Sequence, residues 1–341
     1  MDQQAHIEPF YRPILTDAGL DTTSEVIGLN QFNEQVTGNI AVERALTIYL
    51  DKREIVTLMT LGNHPELLIL GWLHNQRIVR DIHQLKSVQV DWETESVAIT
   101  THARVEDLDQ KLNHKTVTTG CGQGTVYGNL MEELDKIRLP SPSIKQSMIY
   151  KLLDTLNAHN EIYKRAGAVH GCALCRNTDI ELFIEDVGRH NAVDAIAGHM
   201  WLNRLSGEDK IFYTTGRLTS EMVIKVALMG IPVLLSRSGI TAMGLEIIGE
   251  DFDGFCVLAV GNVEHAALID IDEQSNVVVT TFCCGLVDAD AAQISQVHTL
   301  ARSLNVVEDD APEPRVVHAH KAGASGNRHV RDECHGKRLE Q

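Results

Sequence analysis

Strand-like and helix-like runs alternate from about residue 167 to residue 260, and this alternation restricts the fold more than any other feature of the chain. "GAVHGCALCRN" leads into "IELFIEDVG", a strand-like run ending at Gly188. "RHNAVDAIAGHMWLNRLSG" has helical periodicity with Gly207 as its closing residue, and "KIFYTTG" is a buried strand. "TSEMVIKVALMG" opens like a capping box and closes at Gly230. "IPVLLSRSG", "TAMGLEIIGED" and "GFCVLAVG" continue as strand, helix and strand. Such spacing predicts βαβ units and a mostly parallel sheet covered by helices. Ligands of these sheets bind beyond the carboxyl ends of the strands. That rule puts "EDVGRHN" (185–191) and "TTGR" (214–217) on the functional rim.

The upstream pattern is different. "ALTIYLDKREIVTLMTL" alternates around a polar turn and predicts a hairpin. "NHPELLILGWLHNQRIV" predicts a helix, with Asn63 as a cap and Pro65 in the first turn. "SVQVDWETESVAITTHA" alternates again around "ETES". The resulting organisation is an N-terminal arm (1–40, polar and weakly patterned) and a β-rich domain (41–112). A connector follows (113–142), ending in "LPSPS". The α/β domain (143–285) opens on one amphipathic helix with Ser143 as N-cap. The C-terminal extension (286–341) is polar, rich in Pro, Gly and mixed charge, and reads as partly disordered.

Composition then removes function classes. The chain has 341 residues, 43% hydrophobic and 23% charged, enough to bury a core without disulfides. Its formal charge of -17 opposes nucleic-acid binding, which needs a basic surface, but leaves room for one anion in a local pocket. No apolar run reaches the roughly 18 residues of a membrane span. The N-terminus lacks a signal-peptide pattern, so a cytoplasmic location is expected. The seven cysteines, an odd number, read as reduced thiols, a metal site or sulfur chemistry rather than a disulfide framework.

One cysteine stands apart. Cys121, in "TTGCGQGT", has Gly120, Gly122 and Gly124 around it and no apolar periodicity. A thiol on a glycine-rich loop is accessible and able to move, as a nucleophilic thiolate must be. A tolerated surface cysteine is the alternative. Cys172 and Cys175, in "HGCALC", have the spacing of a redox pair or half a zinc site, with His170 nearby. Their apolar spacers equally suit core packing, and a helix would put both sulfurs on one buried face. Cys283 and Cys284 read as strand packing. Around Gly188, the run "EDVGRHNAVD" gathers unlike polar residues, with Arg189 suited to a carboxylate or phosphate. "TTGRLTSE" offers hydroxyls, Gly216, Arg217 and helix-terminal amides as an anion cradle; an ordinary capped turn is the other reading.

Taken together, "EDVGRHNAVD", "TTGRLTSEMVIKVALMGIPVLLSRSG" and "TTGCGQG" resemble the FdhD family of formate dehydrogenase accessory proteins, over roughly residues 40 to 260. "HPELLILGWLHNQRIV" and "GAVHGCAL" are also similar to family segments. The resemblance implies a cytidine-deaminase-like mixed α/β sheet with flanking helices beside a smaller β-rich domain. It implies a sulfur carrier that accepts persulfide sulfur from a cysteine desulfurase and passes it to bis-molybdopterin guanine dinucleotide before that cofactor enters formate dehydrogenase. A homodimer is implied as well; no tightly bound metal is expected, and charge and the lack of a long apolar run leave no nucleic-acid or membrane partner expected. Cys121 becomes the persulfide carrier. Arg189, His190, Thr215, Gly216 and Arg217, with Phe255, Cys256, Val257, Leu258, Ala259 and Val260, become the cofactor-binding positions. The chain departs from the family in three places. Gly124 stands where the loop "C-G-x-C-G" has its second cysteine. "FCVLAV" lacks the family's cation. About 70 residues extend past the usual end. Two rival readings are a cofactor-binding module without sulfur transfer and a zinc-dependent deaminase-like hydrolase, though the latter's H-x-E and P-C-x-x-C signature is missing.

Overall fold

Alternation along residues 44–60 makes the expected hairpin. In the computed structural model, the described residues are 11–105, 108, 116–117, 125–126, 137–140, 142, 144–251, 256–260, 265–271 and 277–283, all within the unit Met1–Asp309. β1 is Ile14–Leu15, β2 Thr23–Leu29, β3 Gln35–Ala41, β4 Arg44–Leu50 and β5 Arg53–Thr60. β4 and β5 pair antiparallel. Asp51 and Lys52 make their turn with φ of 47° and 72°, the left-handed pair that a two-residue hairpin requires. Leu46, Ile48 and Leu50 point inward and are fully buried. β6 (Leu85–Asp91) and β7 (Ser96–Thr101) form the second hairpin, and the sheet runs β1-β6-β7-β4-β5. Part of the region read as a weakly patterned arm is ordered strand. β1 adds parallel to β6, and β2 and β3 pair as a ribbon of their own. The ribbon's alternation escapes notice because both its faces are largely exposed.

α1 (Pro65–Asn75) starts with Pro65 in its first turn, as expected, but its N-cap is His64. Asn63 instead donates to the Glu185 carbonyl at 3.4 Å. α1 is buried nearly all round, Glu66 and Asn75 included, because the five-stranded sheet covers one side and a second helix the other. β8 (Thr116–Val117) and β9 (Thr125–Val126) pair antiparallel. Cys121 belongs to the seven intervening residues, which lie outside the described ones.

The single helix expected from residue 143 is two: α2 (Gln146–His159) and α3 (Glu161–Ala166), broken at Asn160. α2 begins after Lys145, and Ser143 is outside the described residues. Next come β10 (His170–Arg176), β11 (Asp179–Asp186), α4 (Arg189–Asn203), β12 (Ile211–Thr214) and α5 (Ser220–Leu228). β13 (Val233–Ser236), α6 (Ala242–Asp251), β14 (Cys256–Val260), β15 (His265–Ile271) and β16 (Val277–Cys283) complete the order. The seven-stranded sheet runs β11-β10-β12-β13-β14-β15-β16. Only β12–β13 and β13–β14 are parallel. The sheet is therefore mixed, not mostly parallel. "HGCALCR" and "DIELFIED" are separated by two residues, too few for the crossover that parallel strands need.

β10 shows how the sheet is covered. Cys172 and Leu174 join the core beneath α4 and α5, while Ala173 and Cys175 join a separate cluster with Ile149, Leu152 and Leu156 of α2. α4 ends at Arg204, in the left-handed conformation with φ of 52°, not at Gly207. The first core continues past α4 and α1 into the five-stranded sheet. No helix among the described residues is long and apolar enough to cross a membrane.

Candidate functional site

The rim at the carboxyl ends of β12 and β13 is built from hydroxyl groups. The Thr214 hydroxyl accepts from Gly216 N at 3.0 Å. Thr215 exchanges two bonds with Gly171, accepting from its N at 3.0 Å and donating to its O at 2.9 Å. Ser236 donates to the Gly216 carbonyl at 2.9 Å, and Ser238 to the Thr215 carbonyl at 2.6 Å. "TTGR" is thus held in one conformation between the two strand ends, immediately before α5. The spacing "S-R-S" after the β13 run, passed over in the sequence, supplies half of this scaffold.

Arg189 lies against that loop. A Cβ on Gly216 would sit 2.9 Å from Arg189 Cδ and 3.2 Å from its Cβ, so only glycine admits the arginine here. The Arg189 side chain is almost fully buried, and its Nε has no hydrogen-bond partner among the described residues. Arg217 is exposed on the same loop. The pKa of His170, at the start of β10, is lowered by burial and then by the charges of Arg189 and Arg217. Two guanidinium groups beside the N-terminus of α5 favour an anion.

His190 does not join this face. It is 5% exposed, with Nε2 3.4 Å from Glu221 Oε2, a contact whose angles make no hydrogen bond. Burial, then Lys225, Arg189 and His170, push its pKa down to about 2. From Glu221 a buried polar chain leads away from the rim. Lys225 Nζ lies 3.3 Å from Glu221 Oε1 and 2.8 Å from Asp194 Oδ2, and Asn75 donates to Asp194 Oδ1 at 2.7 Å. Burial opposes the charge on both Asp194 and Lys225, raising the Asp194 carboxyl. At Lys225, Asp194 and Glu221 outweigh burial and hold the ammonium above its ordinary pKa. The 2.8 Å contact and the Asn75 bond favour the ion pair.

The dense run "EDVGRHNAVD" therefore divides its work. Glu185 accepts from Ile162 N at 2.8 Å and Tyr163 N at 2.9 Å, capping α3. Asp186 accepts from the Thr60 hydroxyl, Leu61 N, Gly188 N and Asn191 Nδ2 at 2.6 to 3.1 Å, tying the β11–α4 turn to the end of β5. Asp194 serves the buried chain. Arg189 alone of the run faces the rim loop. The sequence shows the density of polar groups, not which of them meet protein and which face out.

Cys172 and Cys175 occupy a strand, so their side chains point to opposite faces. They cannot share a metal ion or pair with each other. Both thiols are fully buried, and burial pushes each pKa up to about 12. Cys172 donates to Thr214 Oγ1 at 3.3 Å. Neither can resolve a disulfide or persulfide from the core. Among the described residues no group of three His, Cys, Asp or Glu side chains could hold a metal. Cys256, Val257, Leu258, Ala259 and Val260 form β14, whose register with β13 pairs Ala259 with Ser236 and brings Val260 to the rim end. Phe255 and Cys121 lie outside the described residues.

A family model described as FdhD/NarQ family matches residues 41–251. The chain is 29% identical over 226 residues to the sulfur carrier protein FdhD of Listeria monocytogenes, covering 64% of this chain and 84% of the relative. It is 28% identical over 218 residues to the protein of that name in Bacillus subtilis, covering 63% and 83%. A similar match to the Wolinella succinogenes protein is 28% identical over 209 residues, covering 61% and 73%. A crystal structure from Desulfotalea psychrophila, of a protein described as a formate dehydrogenase accessory protein, superposes with a TM-score of 0.57 at 24% identity. It covers 72% of this chain and 95% of that one, and shows the shared fold. With most of both sheets and the whole rim loop inside the matched span, the chain belongs to the FdhD/NarQ family.

Proposed function

We propose that the chain is a sulfur carrier acting in formate dehydrogenase maturation, with Cys121 as the carrying thiol. The observation that carries this reading is the family match over residues 41–251, which includes "TTGCGQGT" as well as the rim. The Cys121 thiolate attacks the outer sulfur of a desulfurase persulfide. The donor leaves as its thiolate, and Cys121 holds the terminal sulfur as a persulfide. That sulfur then goes to bis-molybdopterin guanine dinucleotide, the acceptor substrate, before it enters formate dehydrogenase.

The rim fits such a substrate chemically. A guanine dinucleotide presents phosphates, and Arg189, whose buried Nε has no hydrogen-bond partner among the described residues, Arg217, Thr215 and the glycine cradle at Gly216 are the groups that would hold them. His190 supports from behind, as a neutral, buried ring. β14 supplies backbone at the rim but no cation. A cytidine-deaminase-like lineage for the seven-stranded sheet, a homodimer and a cytoplasmic location belong to the same proposal.

The test is mass spectrometry after incubation with a cysteine desulfurase and cysteine. Cys121 gains about 32 Da, the mass of one sulfur atom, and Cys121→Ser gains nothing. Absence of that adduct, or full restoration of formate dehydrogenase activity by Cys121→Ser, rejects the reading. Guanosine diphosphate binding without any adduct would indicate a binding module instead.

A further inference from the structure

The ribbon of β2 and β3 stands apart from both larger sheets. It is a two-stranded sheet of its own, and its tip turns between Asn30 and Glu34, whose backbone groups bond at 3.0 Å. At its base α3 packs against β3, and Arg165 donates to the Thr23 hydroxyl. Beyond that base, β2 is exposed from Ser24 to Leu29. Ile27 and Leu29 lie on one face, and Val26, Val36 and Ile40 on the other. Ile27 is 73% exposed, and Phe32, at the tip, is 72% exposed. Nearly half of the large exposed hydrophobic residues among the described ones lie on this ribbon. That concentration is not the ordinary scatter of single apolar residues over a surface.

The free edge of β2 is open to pairing. A two-stranded ribbon with both faces wet is marginal in water, and three or more strands are needed for one to stand alone. Exposed edge strands ordinarily carry lysine, proline or a bulge that blocks a further strand. β2 has neither lysine nor proline. Its register with β3 runs without a shift, whereas β4–β5, β6–β7 and β10–β11 are each interrupted.

Charge and symmetry select the occupant. Residues 23–41 hold two charged side chains, Glu25 and Glu34, in a chain of formal charge -17. Glu34 is engaged by Asn30 Nδ2 at 2.9 Å. The ribbon therefore offers a strongly charged partner little counter-charge, while two acidic copies approach here with little repulsion. Two copies of one strand paired antiparallel are related by a twofold axis, so the contact closes at two chains. We infer that β2 pairs antiparallel with β2 of a second copy, giving a four-stranded sheet in the order β3-β2-β2-β3 across the dimer. Each arm is about 24 Å long at about 3.4 Å per residue. The antiparallel sense carries the Phe32 tip of each arm toward the base of the other, beside α3, where Tyr163 is 58% exposed. This inference rests on the homodimer reading and names its contact surface; it requires nothing of Cys121.

The experiment is sedimentation velocity of the full chain over a concentration series. The unsubstituted chain is a dimer. Ile27→Lys and Leu29→Lys place like charges close to the twofold axis, and each raises the dimer dissociation constant about tenfold or more, a loss of roughly one apolar contact and its replacement by repulsion. Ile27→Val keeps the dimer. Ile14→Lys, which puts the same charge on an exposed apolar position of β1, also keeps it. All four side chains changed are exposed, so the fold is retained, and circular dichroism checks this. A monomeric unsubstituted chain overturns this inference and the homodimer reading together. A dimer that both ribbon lysines leave intact, or that Ile14→Lys splits equally, overturns this inference and leaves the homodimer standing.

Discussion

Gly71 of α1 and Gly198 of α4 meet where the two helices cross, with no room for a side chain on either. A Cβ on Gly71 would lie 1.7 Å from the Asp194 carbonyl oxygen, and one on Gly198 would lie 2.0 Å from the Leu67 carbonyl oxygen. This crossing holds the five-stranded sheet against the helices that carry the rim.

Gly71→Ala and Gly198→Ala therefore destabilise the fold, although alanine favours an isolated helix by about 1 kcal/mol. Steric displacement of one backbone by the other dominates, and each substitution costs about 3 kcal/mol or more. Urea unfolding measures the loss. A neutral or stabilising effect would contradict the close approach.

Lys225→Met leaves Asp194 buried without its cation and costs about 3 to 5 kcal/mol. Combining it with Asp194→Leu recovers part of the loss, because Asp194 is then no longer stranded, although Glu221 still lacks its Lys225 contact. A double-mutant cycle in urea reads the coupling, and strictly additive effects would argue against the pair.

Acid destabilises the chain through its buried imidazoles. The native pKa of His190 is about 2 and that of His74 about 4, both lowered from 6.5. An unfolded chain binds these protons as pH falls through 6.5, while the native chain does not. Stability contributed by the neutral rings is present above 6.5 and is lost on acidification, by about 1.4 kcal/mol per pH unit per histidine. His190→Gln removes one histidine's share of that slope between pH 6 and 5. An unchanged slope would mean that the native ring protonates freely.

Cys172 and Cys175 resist iodoacetamide at pH 8 in the native chain and react once it is unfolded, since burial holds both thiols protonated and covered. Peptide mapping distinguishes the two states. Cys172→Ala and Cys175→Ala leave persulfide formation intact, and its loss in either variant would bring the core thiols into the chemistry.

Arg217→Ala and Arg189→Ala each weaken guanosine diphosphate about tenfold if the rim holds its phosphates. Arg189→Ala also opens space over Gly216, so Arg189→Lys separates charge from packing: it retains the cation but not the fork. Titration calorimetry measures all three, and unchanged affinity in Arg217→Ala would move the anion away from this loop.

Much of this architecture is written locally. Period-two runs predicted the β4–β5 and β6–β7 hairpins, and the order from β12 to β14 followed from apolar strands separated by helix-length segments. The rim position of "TTGR" followed from that order alone. Other features depend on contacts remote in sequence. "CALC" fits a helix or a strand equally well, and pairing with β11 and β12 selects the strand, which sends the two sulfurs to opposite cores. Asn63 lost the cap position to His64, and Arg204 rather than Gly207 closed α4, because helix ends adjust to their neighbours. Polar density around Gly188 was visible in the sequence. Which group caps α3, which ties the turn to Thr60, which joins Lys225 in the core and which faces the rim were decided by the tertiary structure, since burial and hydrogen-bond partners exist only once the chain has folded.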